Sequence, residues 1–349
     1  MIKAAIIVLV WIFLPLYLFG QTVDERLAEV QKAVNEDKLD SAVFFFDSHT
    51  KYYIENADYL NLSYFVPLAG FIGNKQKDMQ YGMDRVQYWL DFIGKKSQDP
   101  RVLRQAHLES HRYYMFAGKM QMAYDANQRA LDLTYKIPDH TPSEWAIIER
   151  NLGVIATRMD NLETARNHTL KALEGFDIDP NTSSESRFNI LNDLGVSYWF
   201  ASIWDSAEYY WKEGIAYLEQ MEDNPTNRLY RRAMIEGNLA AVYDVKGKLD
   251  ESVKMVKSSI VSNKAFIQQA IDDPRRDRAM LSIFYSSMNL GITYKSMGNY
   301  LQALHIHEHT LKEKEKYFPK GHPEITESLI MVGQVHGFLM NYEEAKKYL

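Results

Sequence analysis

The sequence predicts an all-α chain, an α-solenoid of about eight antiparallel helix hairpins. Apolar residues recur at three- and four-residue steps from Thr22 onward, the period of a helix face rather than a strand. A small residue also returns at Ala42, Gly82, Ala123, Ala165, Ala207, Ser252, Ala303 and Ala345, at spacings of 40, 41, 42, 42, 45, 51 and 42 residues. Twelve residues before these stand Val30, Gly70, His111, Gly153, Gly195, Ala240, Gly291 and Gly333, and only His111 is large. Two antiparallel helices joined by a short loop approach closely only where side chains are small. Tyr114, Tyr198, Tyr243 and Tyr294, three residues after the small position, fill the flanking gaps.

In chain order, the amino terminus comes first. Lys3 precedes an apolar run from Ala4 to Phe19, and Gly20-Gln21 offers a small residue at a cleavage point. Residues 1–20 are therefore expected to be a secretory signal peptide, with 21–349 as the repeat array. The run is short for a membrane span and Pro15 interrupts it, so membrane contact is expected only through an uncleaved signal segment. The expected location is exported, either periplasmic or secreted. Phe44-Phe45-Phe46 has strand-like composition but sits inside a helical pattern. The first two hairpins match the repeat most weakly.

Turn signals then mark each later hairpin. Gly118-Lys119, Asp160-Asn161, Gly247-Lys248 and Gly298-Asn299 fall five residues before the small residue of the second helix, where Gly or Asn supplies a left-handed helix end. Between hairpins lie Asp99-Pro100, Pro138 to Pro142, Asp179-Pro180, Asn224-Pro225, Asp273-Pro274 and His322-Pro323. Proline just inside a helix start is preorganised and stops the preceding helix. The two longest spacings predict extra helical turns near Asn263 to Ile271. The eighth hairpin is incomplete at Leu349.

Composition narrows the function. The net charge is −6 with no basic block, which argues against nucleic acid as the main partner. The chain has no cysteine, so disulfides, thiolate metal sites and a cysteine nucleophile are excluded. No glycine-rich phosphate loop or nucleophile elbow occurs. No catalytic site, metal or small-molecule cofactor is expected.

The pattern from Asn289-Leu290-Gly291 through Gly298-Asn299-Tyr300 and Ala303 returns 42 residues later, from Met331-Val332-Gly333 through Met340-Asn341-Tyr342 and Ala345. With Phe318-Pro319-Lys320-Gly321-His322-Pro323-Glu324, it resembles the tetratricopeptide repeat. The likeness is greatest to the long version in kinesin light chains and bacterial signalling proteins. It covers about Asp24 to Leu349 and is specific from Asp99 on, although the usual Trp near the repeat start is missing. The resemblance implies a right-handed superhelix whose first helices line a groove, a protein or peptide ligand, and no chemistry of its own. It also implies an alternative: the amino-terminal sensor or assembly region of a longer signalling or protease-type protein whose effector domain lies beyond Leu349.

Asn151, Asp193, Asn238 and Asn289 stand two residues before the small position of their first helices. In the resembling family such residues hold a bound peptide's backbone, because an amide both donates and accepts. Arg150, Asn192, Trp199, Asp244 and Lys295 share that face. The competing reading is that these side chains bond within the array. Arg150, Arg158, Arg187, Arg231 and Arg232 would suit an acidic ligand, but pairing with Glu149, Glu185 and Glu236 on a solvated face is the stronger expectation. His305 and His309 share a helix face at metal-chelating spacing. His307 sits where packing against the paired helix is expected, and no third ligand is evident.

Overall fold

A computed structural model describes residues 25–222 and 224–349. The expected signal peptide, residues 1–20, lies outside the described residues. All regular structure among these residues is helical, and no helix among them is long and apolar enough to cross a membrane. The chain divides into two compact units, one ending at Phe200 and the other beginning at Ala201. The division falls in the turn of the fifth hairpin.

The first unit holds α1 (Glu25–Asn35), α2 (Leu39–Glu55), α3 (Tyr59–Ser63), α4 (Val66–Gln76), α5 (Met79–Lys96), α6 (Pro100–Phe116), α7 (Met120–Thr134), α8 (Pro142–Arg158), α9 (Leu162–Ile178) and α10 (Ser184–Phe200). Helices pack within hairpins and on adjacent hairpins, as α6 does on α7 and on α4 of the preceding hairpin. Phe46, Tyr53, Phe65, Ile72, Val86, Ile93 and Tyr113 form the core of its first part. The first helix of the second hairpin is split into α3 and α4, a break the repeat pattern does not show. Asp58 caps α3 through the Asn61 N–H, and Pro67 opens α4. Phe44-Phe45-Phe46 lies within α2.

The second unit holds α11 (Trp204–Gln220), α12 (Pro225–Val245), α13 (Leu249–Gln269), α14 (Arg276–Ser296), α15 (Tyr300–Tyr317), α16 (Pro323–Phe338) and α17 (Tyr342–Tyr348). The extra turns expected around Asn263 are distributed over α12, α13 and α14, each 21 residues long.

The small positions do bring helices together. A Cβ added to Gly291 would lie 2.5 Å from the His307 ring, and one added to Gly333 would lie 2.8 Å from Leu349 Cγ. Gly153 likewise abuts the Thr169 hydroxyl. Each of these partners stands four residues after the small residue of the second helix, namely Ala303, Ala345 and Ala165. The turns need a left-handed residue, and glycine is not always the one that supplies it. Asp160 (φ 59°) and Met340 (φ 60°) adopt the conformation that Gly247 and Gly298 adopt elsewhere. At Asp160-Asn161 the aspartate takes the turn and the asparagine caps α9.

Candidate ligand-binding face of the first helices

The sequence places Asn151, Asp193, Asn238 and Asn289 at one register, fourteen residues before the small residue of the paired helix. Glu109 occupies the same register before Ala123. It is a carboxylate rather than an amide, and its spacing from the alanine is the signal that marks it. The structure gives these positions different environments.

In the first unit most are bonded internally. Asn151 is buried, and its amide donates to Asn127 Oδ1 at 3.3 Å. Asn127 in turn donates to the Ala123 carbonyl at 2.9 Å. Arg150 Nε donates to Asp193 Oδ2 at 2.6 Å and joins α8 to α10, with both side chains under one-sixth exposed. Glu109 accepts from Gln105 at 2.8 Å and lies 3.2 Å from Arg112, and burial pushes its carboxyl up. Asn192 is half-buried and Trp199 is buried.

The expected arginine pairings hold in part. Arg232 lies 3.7 Å from Glu236 and also pairs with Glu219, while Arg187 pairs with Asp177 at 3.1 Å. Glu149 takes a different partner, His168, whose other ring nitrogen meets the Tyr124 hydroxyl at 2.8 Å. Glu236 also accepts from Ser258 at 2.7 Å and Ser262 at 3.3 Å. These groups knit helices together.

The second unit differs. Ala240, Ala241 and Asp244 of α12, Ser252 and Val256 of α13, and Asn289, Ile292 and Thr293 of α14 line a small cleft of about 20 Å³ that opens to solvent. Thr293 Oγ1 lies 3.0 Å from both Asp244 Oδ1 and the Asn289 carbonyl oxygen. Burial raises the Asp244 carboxyl pKa, and the Thr293 hydrogen bond opposes this. Asn289 is half-buried, and no hydrogen bond to its side-chain amide occurs among the described residues. Asn238 is half-buried. Lys295 is half-buried with its ammonium 5.7 Å from the Phe338 ring centre, and burial lowers its pKa.

His307 is buried against Gly291, while His305 and His309 are exposed. Neither ring nitrogen of His307 has a hydrogen-bond partner among the described residues. Burial, then Lys295 and Lys314, push its pKa down to about 4. Among the described residues no group of three His, Asp or Glu side chains is placed to hold a metal.

Residues 285–324, the end of α14 through the start of α16, match the family model described as tetratricopeptide repeat. This chain has the tetratricopeptide-repeat fold. The match falls on the seventh hairpin, which is complete, rather than on the eighth, where α17 has only 7 residues. The array is also similar to the apo form of RapI (TM-score 0.64, 11% identity, covering 93% of this chain and 85% of that one). BtubC (BKLC) from P. vanneervenii has a TM-score of 0.54 at 19% identity, covering 70% of this chain and 92% of that one. The apo quorum sensor NprR from B. thuringiensis has a TM-score of 0.53 at 14% identity, covering 93% and 96%. These likenesses concern the fold. No curated protein matches the chain.

Proposed function

We propose that this array is a non-catalytic scaffold that binds a peptide or protein segment along the face of its first helices. One observation carries the reading: Asp244 and Asn289 line an open cleft, while Asn151 and Asp193, which share the register of Asn289, are held internally. A fold of this kind supports it. A Rap protein of similar fold (TM-score 0.53, 13% identity) has been solved in complex with Competence and Sporulation Factor. Asn238, Asp244, Asn289 and Lys295 of the second unit are the proposed contacts. The apolar run Ala4–Phe19 is the ground for proposing export to the periplasm or medium.

The test is selection of a random peptide library on the purified protein, repeated with the double variant Asp244→Ala/Asn289→Ala. Peptides enriched by the wild type should bind the variant about tenfold or more weakly while its helicity is unchanged. Equal binding to both proteins would sink this reading of the face. Asn151→Ala should instead lower stability by about 1 kcal/mol in a urea melt, because it strands Asn127 in the core.

A further inference from the structure

Asp244, like Glu327, is a partly buried carboxylate that burial pushes up, and no ion pair holds either among the described residues; most others are paired. Asp193 is held by Arg150, Glu324 by Lys314, and Glu208 by Lys212 and Lys246. Glu236 has two serine hydroxyls and Arg232. Asp244 has the Thr293 hydroxyl, and no ion pair to it occurs among the described residues. That hydroxyl has one proton for two acceptors, the Asp244 carboxylate and the Asn289 carbonyl. A carboxylate withdrawn from water without a cation is destabilised, and a cation brought to it removes much of that cost. Asp244 is also the carboxylate that opens on the cleft.

The surroundings define the cation. Asp244, Asn289 and Thr293 line the cleft, and their side chains carry a carboxylate, an amide oxygen and a hydroxyl. An ammonium has three donors and no acceptor, and its compact charge suits a narrow site better than a planar guanidinium does. Ala240, Ala241, Val256 and Ile292 supply apolar walls beside these groups, and a cleft of about one water's size admits the ammonium head. We propose that the Asp244–Asn289–Thr293 cleft is a receptor for a primary ammonium group. Its carrier is a peptide, through either a lysine side chain or a free amino terminus. The proposal rests on the reading of this face as peptide-binding and names the chemistry recognised there.

Three small probes test it on the full chain: Nα-acetyl-lysine methylamide, alanyl-alanine amide and Nα-acetyl-norleucine methylamide. The readout is the backbone amide NMR signals of Ala240, Ala241, Ile292 and Thr293. One of the two amines should give saturable shifts, and which one does so names the source of the ammonium. The norleucine probe should give none. Asp244→Asn should weaken amine binding about tenfold, and Asn289→Ala by a few-fold, both with unchanged melting or a small rise. Equal shifts from lysine and norleucine, no saturation with either amine, or undiminished binding by Asp244→Asn would each overturn the proposal. Should Asp244→Asn fail to fold, Asn289→Ala and the norleucine comparison decide. The peptide selection above is separate: a scaffold that captures peptides without regard to amines keeps the broader function and loses this site.

Discussion

Gly291 and His307 show what a single side chain decides in this array. The imidazole occupies the space where a Cβ at position 291 would lie, 2.5 Å from the ring. Gly291→Leu should therefore destabilise by about 1–3 kcal/mol through overpacking, read as a lower urea midpoint, and His307→Ala in the same chain should recover part of it. The buried ring also sets a pH dependence. The folded pKa of about 4 lies below the ordinary value of 6.5, so the unfolded chain takes up a proton that the folded chain refuses. Stability is full above pH 6.5 and is lost as pH falls toward 4, by up to roughly 3 kcal/mol for this group. His307→Leu should flatten that part of a urea-midpoint profile measured from pH 7 to 4; an identical slope would assign the loss to other groups. The inward place of His307 is legible in the sequence, four residues after Ala303. The burial of Asn151 is not, because its partner Asn127 belongs to the preceding hairpin.

Helix boundaries follow from local chemistry. Prolines at 100, 142, 225 and 323 open helices, and Asp99, Thr141, Asn224 and His322 precede them as caps. The choice of left-handed turn residue follows less closely, since Asp160 and Met340 are taken there by the tertiary register of the two helices. Links between hairpins are harder still to foresee. Lys314 has no exposed side-chain surface, and its ammonium lies 2.7 Å from Glu324 Oε2, whose other oxygen accepts from Tyr285 at 2.7 Å. This buried network joins α14, α15 and α16. Glu324→Ala leaves the Lys314 charge uncompensated and should cost about 3–5 kcal/mol, whereas Lys314→Met/Glu324→Gln should cost clearly less. A chemical-denaturation series of the single and double variants checks the order, and equal losses would show that the pair is not coupled. Lysine and glutamate ten residues apart carry no sign of this in the sequence, where both read as ordinary surface charges.

Across the whole chain, each hairpin contacts mainly its neighbours, so stability is close to a sum of local terms. Damage in one place should therefore stay local. In the Glu324→Ala variant, hydrogen exchange should accelerate in α14 to α16 and remain unchanged in α4 to α7. Uniform acceleration over both units would mean that the array unfolds as one body. The sequence by itself determined the all-helical class, the hairpin count and the register of small residues, because those follow from periodicity and from contacts a fixed number of residues apart. Only the tertiary structure decided which members of the polar ladder find partners within the array. Arg150, Asn151 and Asp193 find partners on other helices, whereas Asp244 and Asn289 are left facing a cleft. Whether a polar group is satisfied depends on side chains brought near from other helices, and no local pattern in the chain records that.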